Sequence, residues 1–113
     1  MSGLSTHVLD TALGRPARGL RVQLAVLEPT GSWTTLCDRV TDEDGRVRDL
    51  LSGEALEART YRLKFETGPY LLAAHQAAFY PRVEVVFSVE RAGEHHHVPL
   101  LLSPFGYSTY RGS

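Results

Sequence analysis

The sequence predicts an all-β protein, a β-sandwich of two packed sheets with one short helix. Two observations lead to this prediction: several segments alternate strictly between apolar and polar residues, and turn-forming residues separate them at short intervals. One alanine-rich segment interrupts the pattern. With 113 residues the chain has the size of one domain, so we expect residues 1–113 to form a single domain.

The clearest strands each have one apolar face. Leu20–Val26, Tyr61–Phe65 and Val83–Val89 carry an apolar residue at every second position, which is typical of half-buried antiparallel strands. Five further segments are weaker strand candidates: Ser5–Asp10, Trp33–Val40, Gly45–Leu50, His95–Leu102 and Tyr107–Tyr110.

The connections contain the expected turn residues. Asp44-Gly45 predicts a tight turn, and Ala92-Gly93 predicts the turn of a β-hairpin. Leu71–Phe79 is rich in Ala and Leu and lies between two prolines, so we expect the short helix there.

Composition excludes several classes of protein. A formal net charge of -1 offers no basic surface for nucleic acid, so we expect no nucleic-acid partner. The chain has no run of about 18 apolar residues and no signal-peptide pattern at its start, which predicts a cytoplasmic protein without a membrane partner. The single cysteine, Cys37, cannot form an intrachain disulfide and is interpreted as a small buried apolar residue.

Three of the five histidines are adjacent. On a strand, His95 and His97 point to one face, and His96 points to the other face with Val98 and Leu100. The residues alone leave two interpretations open, an exposed polar strand end or a zinc site, because histidines at positions i and i+2 can both ligate zinc. A zinc site needs a third ligand, for which His7 is the distant candidate.

His7 and Arg46 are uninformative when each is taken alone. A single histidine in an apolar and hydroxylic strand such as that of His7 is commonly a hydrogen-bonded structural residue. Arg46 directly follows the predicted Asp44-Gly45 turn and by itself is a solvated cation. Composition and spacing therefore stop at a β-sandwich with a histidine cluster.

Five stretches together resemble the 5-hydroxyisourate hydrolases, the enzymatic branch of the transthyretin-like family. The last stretch is the most specific, since its Tyr-Arg-Gly-Ser ending separates these hydrolases from the hormone-carrying transthyretins. His96 departs from the family, which often has an aromatic residue there. The stretches are LSTHVLD (Leu4–Asp10), TDEDGR (Thr41–Arg46), YRLKFETGPYL (Tyr61–Leu71), FYPRVEVVF (Phe79–Phe87) and HHHVPLLLSPFGYSTYRGS (His95–Ser113).

The resemblance implies a transthyretin-like β-sandwich of two four-stranded sheets with one short α-helix. It further implies a homotetramer, a dimer of dimers, with active sites along the central channel. The implied reaction is the hydrolysis of 5-hydroxyisourate, a small oxidised purine, to 2-oxo-4-hydroxy-4-carboxy-5-ureidoimidazoline, a step of urate degradation. No metal or organic cofactor is implied.

The resemblance also assigns the site. The family's catalytic residues fall on His7, Arg46 and His97, and substrate binding is implied for His7, Arg46 and the C-terminal tetrapeptide. We expect the tetrapeptide to lie near the three catalytic residues, across a subunit boundary. Its members are Tyr110, Arg111, Gly112 and Ser113.

Two alternatives remain. A transthyretin-like carrier would bind a small aromatic ligand in the same central channel, because fold alone does not determine function. A zinc hydrolase would use His7, His95 and His97 as its ligands.

Overall fold

The computed structural model describes residues 3–112, which form two packed β-sheets and one helix. The predicted sandwich of two sheets with one short helix is confirmed. The first sheet has five strands instead of the predicted four, because two short strands, Arg15–Pro16 and Arg46–Val47, both pair with the same edge of the strand Gly3–Asp10. The elements are β1 (Gly3–Asp10), β2 (Arg15–Pro16), β3 (Arg21–Leu27), β4 (Trp33–Val40), β5 (Arg46–Val47), β6 (Thr60–Phe65), α1 (Thr67–His75), β7 (Val83–Ser88), β8 (His95–Ser103) and β9 (Gly106–Thr109).

The strand order places β1 and β8 at the centre of the first sheet. That sheet runs β2-β1-β8-β9, and the second runs β4-β3-β6-β7. β1 and β8 pair in parallel from Gly3 opposite His95 to Asp10 opposite Leu102. This pairing brings the start of the chain beside the histidine cluster.

The core lies between the sheets and consists of the apolar residues that alternation predicted. Leu24 of β3 and Phe65 of β6 face Val8 of β1 and Leu100 of β8, and all four are fully buried. Burying a side chain of this size stabilises the fold by ~1.5–3 kcal/mol. Cys37 is half-buried against this core, and burial raises the pKa of its thiol.

The helix begins and ends four residues earlier than predicted. It spans Thr67–His75, because a proline in the first helical turn is tolerated: the N–H it lacks would have no helical partner there. The helix ends where Gln76 adopts a left-handed conformation with φ of 58° and donates its N–H to the Leu72 carbonyl. The residues after Gln76 up to Phe79, predicted as helix, are not helical.

Two other local predictions are wrong. The predicted strand Gly45–Leu50 is reduced to Arg46–Val47, because the Asp49 carboxylate accepts backbone N–H bonds from Leu51 and Gly53 and turns the chain. Ala92-Gly93 does not close a hairpin, since β7 and β8 belong to different sheets.

A buried carboxylate joins the helix to the first sheet. Asp10, at the end of β1, is fully buried and accepts hydrogen bonds of 2.7 Å from the Tyr70 hydroxyl and from His75 Nε2. Its other oxygen accepts the N–H groups of Ala12 and Leu13. Within residues 3–112, no helix is long and apolar enough to cross a membrane.

Candidate active site

Three neighbouring strands bring His7, Arg46 and His97 to the outer face of the first sheet. His7 in β1 lies directly opposite Arg46 in β5. His97 in β8 pairs with Ser5, two residues before His7 and therefore on the same face of β1. The three predicted catalytic side chains are each partly buried. The sheet register thus gathers residues that are far apart in the sequence.

The turn before β5 fixes Arg46 against β1. Asp42 Oδ1 accepts the backbone N–H of Asp44 at 2.9 Å and that of Arg46 at 3.0 Å. Gly45 has a φ of 73°, and its carbonyl oxygen accepts the Val8 N–H at 2.7 Å. A Cβ at this position would collide with the Val8 carbonyl oxygen. The TDEDGR stretch therefore needs both its first aspartate and its glycine.

An open pocket of about 300 Å³ lies over this face. His7 borders the adjoining cleft, and Arg46 and Arg48 line both spaces. Arg48 is also hydrogen-bonded to the Asp44 carboxylate at 3.2 Å. The pocket is lined by Ser5, Thr6, Arg46, Arg48, His95 and His97.

Ser5 belongs to this site although the sequence analysis did not select it. Its Oγ lies 2.8 Å from His97 Nδ1 and 3.1 Å from His95 Nε2. The available signal was its position, two residues before His7 on a strand. The partner strand could not be deduced from the sequence, so the contact was missed.

Both candidate catalytic histidines have lowered pKa values. For His97, burial lowers the pKa most, and the positive charges of His7, Arg46 and His95 lower it further. For His7, burial and then Arg46 lower the pKa, against an opposing hydrogen bond to the Asp44 backbone. Since the ordinary value is ~6.5, both rings are neutral at pH 7 and can accept a proton.

The end of the chain runs beside β8. The Gly112 N–H donates to the His97 carbonyl at 2.8 Å, and a Cβ at Gly112 would lie 2.6 Å from His97 Cδ2. Arg111 instead pairs with the Glu94 carboxylate at 2.9 Å. Tyr110 and Arg111 border a second cavity, near the edge strand β7. Of the tetrapeptide, Gly112 is therefore the residue placed at His97, and Ser113 lies outside the described residues.

The histidine run divides between the two faces of β8. His96 is buried in the sandwich, as the alternation predicts, and its Nδ1 lies 3.1 Å from the Glu94 carbonyl oxygen. His95 and His97 share the Ser5 hydroxyl on the outer face. Among residues 3–112, no three His, Cys, Asp or Glu side chains are grouped so that they could hold a metal ion.

Comparison with known proteins identifies the family. Residues 4–112 match the sequence profile of the HIUase/Transthyretin family. The chain belongs to this family. The 5-hydroxyisourate hydrolase of Mus musculus is 49% identical over 113 residues, which cover 99% of this chain and 96% of the mouse protein.

Two solved structures with similar folds come from the two branches of this family, the hydrolases and the transthyretins. The 5-hydroxyisourate hydrolase of Klebsiella pneumoniae has a TM-score of 0.85 and 40% identity, with 100% of both chains covered. The transthyretin of Sparus aurata has a TM-score of 0.92 but 31% identity, covering 99% of this chain and 97% of its own. Fold similarity within the family therefore does not separate hydrolases from transthyretins, whereas sequence identity favours the hydrolases.

Proposed function

We propose that this chain hydrolyses 5-hydroxyisourate to 2-oxo-4-hydroxy-4-carboxy-5-ureidoimidazoline in urate catabolism, as a single domain over residues 1–113. The observation that carries the proposal is the convergence of His7, Arg46 and His97 on one outer face of the first sheet. Support comes from the family and from the hydrolases at 49% and 40% identity. The chain is thus an enzyme acting on a cyclic amide-type C–N bond.

The two histidines are suited to moving protons in this reaction. Ring opening needs a water that loses a proton, and the departing ring nitrogen must gain one. His7 and His97 have pKa values lowered below the ordinary value and are neutral at pH 7, so either ring can accept the proton of the water and return it. A positioned acid or base of this kind contributes ~10²–10⁴-fold to the rate.

Arg46 is suited to holding the substrate and its developing charge. Its guanidinium offers a planar fork of N–H donors that matches urea-like carbonyl groups. Aimed at the carbonyl under attack, it would stabilise the oxyanion. This role is supported by the pairing of Arg46 directly opposite His7 on the neighbouring strand.

The C-terminal tetrapeptide completes the proposed site. Gly112 contributes by its close approach to His97. Substrate binding by Tyr110, Arg111 and Ser113 rests on the family resemblance, with the tetrapeptide lying at a boundary between subunits. The proposed reaction uses no metal and no organic cofactor.

We further propose a cytoplasmic homotetramer arranged as a dimer of dimers. β7 and β9 are the outer strands of their sheets, and Phe79 and Phe105 nearby are 66% and 70% exposed. Unpaired strand edges and exposed aromatic residues are features of protein interfaces. Size-exclusion chromatography with light scattering should give a molar mass four times the chain mass of 12.5 kDa. A molar mass equal to that of one chain would contradict the proposed tetramer.

Activity measurements on variants test the assigned residues. His97→Ala and Arg46→Ala should each lower kcat/KM for freshly generated 5-hydroxyisourate by ~10²-fold or more. Arg91→Ala is the matched control, because that side chain is 84% exposed and lies outside the pocket. Removal of residues 110–113 should also reduce turnover. Wild-type rates in the His97 and Arg46 variants would refute the assignment.

A carrier of a small aromatic ligand is the second candidate function. The observation that favours it is the TM-score of 0.92 with a transthyretin. Tight binding of such a ligand without turnover of 5-hydroxyisourate would support the carrier. The zinc hydrolase has no such support, because no three His, Cys, Asp or Glu side chains among residues 3–112 are grouped so that they could hold a metal ion. Stoichiometric zinc, with activity lost to a chelator, would restore it.

A further inference from the structure

Ser5 lies between two histidine rings that sit on successive outward positions of β8. Its Oγ is 2.8 Å from His97 Nδ1 and 3.1 Å from His95 Nε2. The parallel register pairs Ser5 with His97, and Gly3 with His95. Because Gly3 has no side chain, Ser5 is the β1 residue that fills the space between the two rings.

A hydroxyl in this position couples the protonation of the two rings. A serine hydroxyl has one proton to donate and lone pairs that accept. When Ser5 donates to His97 Nδ1, His97 carries its own proton on Nε2, and His95 donates from Nε2. When the hydroxyl turns round, His97 carries its proton on Nδ1, and Nε2 becomes a free base. The direction in which the Ser5 hydroxyl donates thus determines which tautomer of His97 can pair with it.

We propose that Ser5 is a positioning residue that relays protons between His97 and His95 during the proposed hydrolysis, an inference that rests on that function. His97 Nε2 removes a proton from the attacking water, whose oxygen electron pair forms the new C–O bond. At the same time His97 Nδ1–H passes its proton to Ser5 Oγ, and the Ser5 proton passes to His95 Nε2. His97 and Ser5 end neutral, and His95 ends as an imidazolium.

The return transfer completes the reaction. The C–N bond breaks, and the departing nitrogen takes the proton from His97 Nε2 with its released electron pair. Ser5 then returns a proton to His97 Nδ1, and His95 returns one to Ser5. All three residues recover their starting states, so no other reactant is needed.

The surroundings explain why the charge should rest on His95. His97 is partly buried and lies in a pocket lined by Arg46 and Arg48, with His7 on the adjacent strand. Burial, followed by the charges of His7, Arg46 and His95, disfavours an imidazolium there and lowers the His97 pKa. His95 is exposed, so water solvates its charge. Glu94, which precedes His95, is already paired with Arg111.

The test compares Ser5→Thr with Ser5→Val. The two side chains have nearly the same shape and both suit a strand, so they differ in the hydroxyl alone. Ser5→Thr should keep kcat within a few-fold of wild type. Ser5→Val should lower kcat roughly tenfold or more, less than the ~10²–10⁴-fold of a general base itself, with KM changed much less. Equal kcat in the two variants would overturn the relay.

A double-mutant cycle tests the path to His95. His95→Gln retains a side-chain donor but cannot accept a proton. It should reduce kcat as Ser5→Val does, and the double variant should be no slower than either single variant. Additive losses would show two independent residues and would overturn the relay.

Nitrogen-15 NMR of the histidine rings tests the coupling without substrate. In the wild-type protein and in Ser5→Thr, the replacement His95→Gln should change the tautomer populations of His97, and in Ser5→Val the same replacement should leave them unchanged. Identical His97 spectra in Ser5→Thr and Ser5→Val would overturn the proposal. If wild-type protein does not turn over 5-hydroxyisourate, the proposed function fails, and the NMR result still decides whether Ser5 couples the rings.

Discussion

Replacement of Gly112 by Ala should inactivate the enzyme while leaving the fold intact. An alanine Cβ would lie 2.6 Å from His97 Cδ2 and 3.3 Å from Cγ, whereas ordinary contacts of a Cβ begin at 3.4 Å. The ring and the tail must therefore separate by about 0.8 Å. Misplacement of a reacting group by ~1 Å can cost ~10²-fold in rate, so kcat should fall by about that factor.

Gly112→Ala should also impair catalysis if the C-terminal tail moves and the His97 ring stays in place. If the tail moves instead of the ring, the 2.8 Å bond from the Gly112 N–H to the His97 carbonyl is lost. A typical intramolecular hydrogen bond contributes ~0.5–1.5 kcal/mol, so the free energy of unfolding should change by no more than that. Gly112→Ala should therefore lower kcat strongly while changing the free energy of unfolding only slightly.

Steady-state kinetics and thermal unfolding, measured together, check this prediction. Gly106→Ala is the matched control, because its Cβ would meet Ser103 Oγ at an ordinary 3.8 Å. The control should keep wild-type kcat. Wild-type kcat in Gly112→Ala would refute the reasoning that the tail packs tightly on a His97 ring that acts in catalysis.

Two further predictions concern charge and stability. Arg46→Met removes a cation that lowers the pKa of His7 and His97, so both pKa values should rise and the acid limb of kcat/KM should move to higher pH. An unshifted limb in stopped-flow pH profiles would contradict this. Tyr70→Phe removes a 2.7 Å hydrogen bond to the buried Asp10. Urea titrations at pH 7 should show that it lowers the free energy of unfolding by ~1–3 kcal/mol. The control is Tyr107→Phe, because the Tyr107 side chain is exposed. Burial raises the Asp10 pKa, but hydrogen bonds from Tyr70, the Leu13 N–H and His75 outweigh it and lower the pKa. This stabilisation is therefore present above the unfolded pKa of ~3.9 and is lost as pH falls through the lower folded pKa, so the effect of Tyr70→Phe should shrink in acid. If the difference in unfolding free energy between wild type and Tyr70→Phe stayed constant down to acid pH, the ionised Asp10 carboxylate would not be the source of the stabilisation.

The sequence predicted those parts of the fold that depend on local alternation. Tyr61, Leu63 and Phe65 of β6 are buried on one face, and His96 points inward while His95 and His97 point outward. These predictions succeed because the two-residue period of a strand reflects which face meets the core. No long-range information is needed for them.

Features that depend on long-range pairing were not predictable in this way. The parallel pairing of β1 with β8 joins segments about ninety residues apart, and nothing local in either strand specifies its partner. Ser5 was missed for this reason. The predicted Gly45–Leu50 strand failed for a local reason, since Asp49 offers the backbone side-chain hydrogen bonds that compete with strand pairing.

The proposed active site could be located only by using local and long-range information together. The resemblance named His7, Arg46 and His97 one at a time. The structure supplies the β1–β5 and β1–β8 registers that bring them to one face and the contact between Gly112 and His97.

Turnover of freshly generated 5-hydroxyisourate by the wild-type protein is the most direct test of the proposed activity. Substrate decay and product formation, followed spectroscopically at pH 7, should be accelerated far above the uncatalysed rate, and His97→Ala should remove most of that acceleration. Decay at the uncatalysed rate in the presence of folded wild-type protein would contradict the account.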